Sequence, residues 1–162
     1  MSDNEKVREE VKQLVIFKLG DEEFGVDILQ ANEIEKLDQG ITRVPKSPSF
    51  VEGVINLRGI IVPIVDLRKR FGLTVREIGL DTRVIIVEVN GNKVGMIVDA
   101  VMEVARVNAS DIEPAPSITK GVDAYFISGV AKHSDRLIVL LNLERSLSPE
   151  EAKEISKVKA EA

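Results

Sequence analysis

The chain has no cysteine, no tryptophan, one tyrosine and one histidine. Without thiols it forms no disulfide and no thiolate metal site, and it suits a reducing compartment. So little aromatic surface, in a chain of net charge −5, argues against stacking on nucleic-acid bases and against binding to anionic membranes. No apolar run approaches the length of a bilayer-spanning helix, and the start Met1-Ser-Asp-Asn-Glu-Lys6 does not read as a signal peptide. A cytoplasmic protein with no membrane insertion is therefore expected. Catalytic equipment is equally sparse. The single histidine, His133, lies in His-Ser-Asp-Arg, a hairpin-tip sequence that offers it neither an orienting carboxylate nor a pocket. No phosphate-binding glycine loop and no metal-ligand spacing occurs. The expectation is a protein that is not an enzyme and carries no catalytic residue, metal or cofactor.

What the chain does have is β-branched aliphatics, arranged in short runs. The stretch Phe50 to Leu67 organises the rest. It holds two apolar runs, Val54–Leu57 and Ile60–Leu67, split by Arg58-Gly59. That pattern predicts two strands buried on both faces, with a tight turn whose one charge is Arg58. Pro63 inside the second run predicts an edge or bulged strand. Asp66 can cap a short helix that Gly72 terminates. Further strands are predicted over Leu14–Leu19, Phe24–Val26, Asn32–Leu37, Thr82–Val89, Lys93–Val98, Met102–Val107, Ala124–Lys132 and Arg136–Leu141. Asn90-Gly-Asn92 is a hairpin signal between two of them. Ser148-Pro-Glu-Glu151 is a capping box with proline at the first helical position. The helix it opens carries only a narrow stripe, Ala152, Ile155 and Val158, which predicts weak docking.

The two halves of the chain repeat each other. Shifted by 70 (84 minus 14), Leu14, Val15, Ile16, Gly25, Glu33 and Ile34 meet Val84, Ile85, Ile86, Gly95, Glu103 and Val104. Shifted by 76 (126 minus 50), Phe50, Gly53, Val54, Ile61, Val65 and Leu67 meet Phe126, Gly129, Val130, Leu137, Leu141 and Leu143. Two similar five-stranded units follow, each too small to bury much alone, so they should share an apolar seam. The expected organisation is a mobile tail over 1–12, a first unit over about 13–79, a second over about 80–147 with strand exchange open, and a helix over 148–162. Small closed sheets fill their interiors with side chains, which leaves the surface as the seat of function.

Three groups of residues are candidates for that surface. Glu33 ends a strand near the hairpin bearing Arg58, and the second half keeps Glu103 but has Ser134 opposite Arg58. The apolar residues Ile28, Ala31, Ile34, Val101 and Val104 lie near such a barrel end. Glu113-Pro-Ala-Pro-Ser-Ile118 is a stiff extended loop. An exposed ion pair, ordinary core and a linker are the plain alternatives for the three.

At Gly20–Leu29, Glu33-Ile34, Phe50–Leu67 with its Asn-Leu-Arg-Gly, and Glu113–Pro116, the sequence resembles the CheW family of chemotaxis coupling proteins, over roughly Lys12 to Leu147. The resemblance implies a mainly β fold: two five-stranded SH3-like barrels packed together, with short helices and a C-terminal helix. It implies an adaptor joining the cytoplasmic tip of chemoreceptors to the regulatory domain of the histidine kinase CheA. Carried over by motif position, Glu33, Gly53, Arg58, Ala31, Val101 and Val104 match partner-binding positions, and Glu113 and Ile118 match a kinase-facing edge. The free protein is expected to be monomeric. A small-molecule-binding β-barrel with a site between the halves is the alternative, and it predicts a pocket there lined by converging polar groups.

Overall fold

Tight turns set the hairpins. A computed structural model describes residues 10–37, 40–75, 77–114, 118–119 and 122–161. Gly20-Asp21 joins β1 (Val11–Leu19) to β2 (Glu22–Asp27), and β3 (Glu33–Lys36) follows. Arg58-Gly59, with φ of 51° and 87°, joins β4 (Val51–Leu57) to β5 (Ile60–Asp66). The short helix α1 (Leu67–Arg70) comes next, its first turn capped by the Asp66 carboxylate. Asn90-Gly91, with φ of 51° and 80°, joins β6 (Arg83–Val89) to β7 (Asn92–Val98). After β8 (Ala100–Asn108) come the short β9 (Ile112–Glu113), β10 (Ile118–Thr119) and β11 (Val122–Asp123). Ser134-Asp135, with φ of 50° and 64°, joins β12 (Ile127–His133) to β13 (Arg136–Leu141), and α2 (Pro149–Glu161) ends the fold. Positive φ at both central residues gives the two-residue turn whose twist matches that of its strands. Glycine and asparagine enter it easily, whereas Arg58 does so at about 1 kcal/mol.

The repeat seen in the sequence is a repeat of elements. At offset 70, β1, β2 and β3 meet β6, β7 and β8. At offset 76, β4 and β5 meet β12 and β13, and α1 meets the 3₁₀ turn Leu143–Ser146. One sheet runs β3-β6-β7-β5-β4, and the other runs β8-β1-β2-β13-β12-β9. Under the two offsets the first five strands of each sheet stand in the same order. The sheets do not divide the chain between residues 79 and 80. The hairpin β1–β2 completes the sheet of the second half, and its counterpart β6–β7 completes the sheet of the first. Each sheet curls into a small SH3-like barrel. We call the sheet of β3–β7 the first barrel and the other the second.

Burial explains why the strands read as apolar throughout. Along β1, Leu14 and Ile16 face the interior of the second barrel with Ala105, Val107, Ala131, Ile138 and Leu140. The alternate residues Val15 and Phe17 face a seam shared with Ile85, Val87, Val94 and Met96 of the first barrel. The first barrel's own interior holds Ile55, Leu57, Val62, Ile64, Val84, Ile86 and Ile97. The paired Gly25 and Gly95 face these interiors. A methyl at Gly95 would come within 2.6 Å of both Ile64 and Val84, and one at Gly25 within 2.9 Å of Leu140. Their absence lets a crowded interior close.

Three sequence expectations change. Of the two readings of Pro63, strand β5 is not an edge, since it lies between β7 and β4, whereas a bulge does occur beside it: the β4–β5 register shifts between Val51 and Gly53, opposite Val65 and Ile64. Pro63 is tolerated because pairing with β7 begins at Ile64, so no ladder donor is lost there. Strand β1 starts within the stretch expected to be a tail, where Val11 and Lys12 pair with Asn108 and Val107 of the long β8; residues 1–9 lie outside the described residues. Helix α2 docks firmly. Ala152, Ile155 and Val158 are 4%, 1% and 3% exposed and join the seam, and each large side chain so buried contributes about 1.5–3 kcal/mol. The Ser148 hydroxyl accepts from Glu151 N–H, the Glu151 carboxylate accepts from Ser148 N–H, and Arg70 bonds the same carboxylate at 2.7 Å. A three-residue stripe suffices because the seam beneath it is continuous.

Candidate functional site

Glu33 and Glu35 stand opposite Ile86 and Val84 across the β3–β6 pair. Those partners line the first barrel's interior, so both carboxylates lie on the inward face of an edge strand, where they rim the barrel mouth. The β4–β5 turn reaches this rim. Arg58 bonds Glu33 through Nη2 and Glu35 through Nη1 at 3.3 Å, and Lys93 reaches Glu33 Oε2 at 3.2 Å. The Arg58 side chain stays 62% exposed and that of Glu33 25%. The hydrogen bond from Arg58, then those of Lys93 and Glu35, hold the Glu33 carboxyl at about 2, well below its ordinary 4.5. A depressed carboxyl stabilises the folded state above its unfolded pKa and loses that contribution as the pH falls from about 4.5 toward about 2. The effect on stability is small, because exposed pairs contribute under about 1 kcal/mol. A carboxyl-carbon NMR titration is expected to place the Glu33 midpoint at about 2, and Arg58→Ala is expected to raise it toward the ordinary range.

The second mouth is built alike with different residues. Glu103 stands opposite Ile16, an interior residue of the second barrel. Arg136 bonds Glu103 at 3.0 Å and Glu23 at 2.6 Å, and His133 Nε2 lies 3.9 Å from Glu103. Ser134 opposite Arg58 thus does not leave this mouth without an arginine, which has moved from the turn to the first residue of the next strand. The two mouths differ in placement and charge: at offset 70, Glu23 stands where the first barrel has Lys93. Sequence reasoning missed Glu35, Lys93, Glu23 and Arg136. Glu35 had a signal, since a residue two along a strand shares the face of Glu33.

The apolar candidates are two related pairs. Ala31 and Val101 differ by 70, as do Ile34 and Val104. Ala31, Val101 and Ile28 are half-buried against the seam cluster. Ile34 and Val104, on the edge strands β3 and β8, are 39% and 50% exposed, opposite the seam residues Ile85 and Val15. The result is an apolar strip on the seam side of both edges. Gly53 is buried beneath the isolated bridge between Thr42 and Val54. Glu113, on β9, pairs with Lys132 at 3.0 Å, which raises the lysine pKa. Ile118 pairs with Asp123 along the backbone; its side chain, and residues 115–117 of the loop, lie outside the described residues.

The place set for a ligand between the halves is filled by the seam cluster. Two surface hollows of about 190 and 230 Å³ open where the barrels meet, between the Gly20 turn and Thr74 and between Asn90 and Tyr125, and a third of about 160 Å³ lies near Leu29; all three are below the usual size of a small-molecule site. Among the described residues no group of side chains is placed to hold a metal ion, and no helix is long and apolar enough to cross a membrane.

Two curled sheets with filled interiors, charged rims and an exposed apolar strip have the build of a scaffold that works through its surface. The chain belongs to the CheW family: the model of the CheW-like domain matches residues 13–151. The chemotaxis protein CheW of Klebsiella aerogenes is 39% identical over 140 residues, 86% of this chain and 84% of the relative. That of Helicobacter pylori is 40% identical over 139 residues, covering 86% and 83%. The crystal structure of the scaffolding protein TtCheW from Thermoanaerobacter tengcongensis superposes with a TM-score of 0.79 at 43% identity, covering 88% of this chain and 91% of that one.

Proposed function

We propose that this chain is a non-catalytic, cytoplasmic adaptor that couples chemoreceptors to the histidine kinase CheA in bacterial chemotaxis, and that it is monomeric when free. Membership in a family of chemotaxis scaffolds supports the reading. The observation that carries it is the rim of the first barrel. A net-neutral cluster of two carboxylates and two cations, with Arg58 largely exposed, sits over an interior already full. Such a cluster orients a docking partner rather than reacting with a substrate. The kinase regulatory domain is assigned to the barrel ends: Glu33 and Arg58 on the first, with Gly53 shaping the rim from beneath, and Glu113 and Ile118 on the edge of the second. The receptor tip is assigned to the strip of Ala31, Ile34, Val101 and Val104.

Calorimetry of the chain with the CheA regulatory domain tests the reading. Binding is expected, and Arg58→Ala is expected to weaken it about thirtyfold or more, since a charge buried on docking is worth about 2–5 kcal/mol. The thermal melt should hardly move, because the pair is exposed in the free protein. No binding by the parent chain at high micromolar concentration would sink the proposal. A melt that drops with Arg58→Ala would make the pair structural instead.

A further inference from the structure

The chain crosses between barrels twice, from β2 to β3 and from β7 to β8. Both crossings are pinned, by opposite chemistry. At the second, Asp99 separates β7 from β8. Its Oδ1 accepts from Arg68 Nη1 at 2.6 Å and its Oδ2 from Gly20 N–H at 2.6 Å. Arg68 in turn donates Nε and Nη2 to the two oxygens of Asp66, at 2.9 and 2.8 Å. The Arg68, Asp66 and Asp99 side chains are 2%, 4% and 13% exposed. One buried cluster thereby joins the end of β5 and the start of α1 in the first barrel, the β1–β2 turn in the second, and the crossing itself. At the first crossing, Leu29 stands at offset 70 from Asp99 and is 83% exposed. The pin there is neutral: Gln30 donates to Asn142 Oδ1 at 3.5 Å and accepts from Leu143 N–H at 3.0 Å. Asn142 is the offset-76 counterpart of Asp66.

A buried ion cluster costs desolvation that apolar packing does not, and its best-attested use is to fix one arrangement among several. Here the arrangement at stake is how the barrels meet, because the cluster's hydrogen bonds run between them. Strand β8 starts at Ala100, directly after Asp99, and carries Val101 and Val104. Ala31 and Ile34, their counterparts, sit on the far side of the other crossing.

We propose that the Asp66–Arg68–Asp99 cluster sets the angle between the barrels, and through it the alignment of Val101 and Val104 with Ala31 and Ile34. Arg68 and Asp99 are positioning residues for the strip and touch no partner themselves. The inference rests on the strip being the receptor-docking surface.

The test is Asp99→Asn in the full chain. This variant keeps the Arg68–Asp66 pair and the cap of α1. Residual dipolar couplings are expected to fit each barrel as well as in the parent, but the two barrels no longer fit the parent's common orientation. Affinity for a receptor cytoplasmic-tip fragment is expected to fall about tenfold, as for coupled sites. Affinity for the CheA regulatory domain, measured on the same sample, should change less than about twofold, as for a distant independent site. Gln30→Ala, the matching cut at the neutral crossing, should leave the barrel orientation as it was. Couplings that fit the parent orientation in Asp99→Asn would overturn the proposal. So would an equal reorientation in Gln30→Ala, an unchanged receptor affinity despite reorientation, or equal loss of both affinities with couplings disturbed inside the barrels. Should the parent chain fail to bind the receptor fragment, the functional reading fails, and the couplings alone decide whether the cluster orients the barrels.

Discussion

Gly53→Ala is expected to cost about 3 kcal/mol or more, from overpacking and a disallowed backbone together. The residue has φ of +147°, a conformation that side chains rarely adopt, and its missing Cβ faces the backbone of Thr42. A methyl there would overlap the Thr42 carbonyl oxygen and come within 2.7 Å of Ile41 Cγ2. Neither neighbour can retreat cheaply. Thr42 and Val54 exchange backbone hydrogen bonds of 2.9 and 2.8 Å across this point, and moving Thr42 away breaks both. For a chain of this size the loss corresponds to a drop of roughly 10 °C in Tm. A thermal melt checks it, and a variant that melts within a degree or two of the parent refutes the close-approach account. The counterpart Gly129 gives a graded comparison. Its added methyl would meet Ile112 Cγ2 at 2.9 Å and Glu113 O at 3.0 Å without a positive φ, so Gly129→Ala should be milder.

Arg68→Ala is the second large effect. The substitution removes the guanidinium that bonds both Asp66 and Asp99 and leaves two largely buried carboxylates without it. Breaking a buried pair in this way costs about 3–5 kcal/mol, because the charges left behind have no counterion. Urea unfolding is expected to show the midpoint falling with the slope unchanged. A loss below about 1 kcal/mol would mean that water or a neighbouring group replaces the guanidinium at little cost. The contrast with Arg58 is the informative part. Both arginines directly follow a leucine at the end of a β-branched run and both bond two carboxylates, yet one is 2% and the other 62% exposed. Truncating the first should move the melt, and truncating the second should move partner affinity.

Much of this was legible in the chain. Asn-Gly, Arg-Gly and Ser-Asp between apolar runs fixed three hairpins, because such turns need residues that reach positive φ. The two offsets recovered the elements of each repeat, and the doubly apolar strands required a seam as well as two interiors. The exchange of hairpins was left open, because a repeat aligned with itself is the same whether its members pair within or between copies. Pro63 pointed to an edge or a bulge; the strand is internal, its other neighbour pairing only beyond the proline, and the bulge lies in the β4 ladder opposite Ile64. At the site, Glu33 and Arg58 do meet. The arginine of the second mouth went unseen because the register of a turn, and not the repeat itself, decides which residue projects over the rim. The local sequence offered Arg68 the capping Asp66 two residues before it, but not its burial, which depends on Asp99, 31 residues away.

The traded hairpins bear on ancestry. A polypeptide holding just one copy of the repeat would have its leading β-ribbon directed away from its own remaining strands. Two such polypeptides could each complete the other, as an intertwined homodimer with a true twofold axis. Joining the end of one to the start of the next, across the span now occupied by residues 71–82, would freeze that symmetry into a single molecule. In such a fusion the two crossings, identical in the dimer, would be free to diverge, and here one is ionic and the other neutral. The asymmetry of the present adaptor is then a licence granted by covalent linkage.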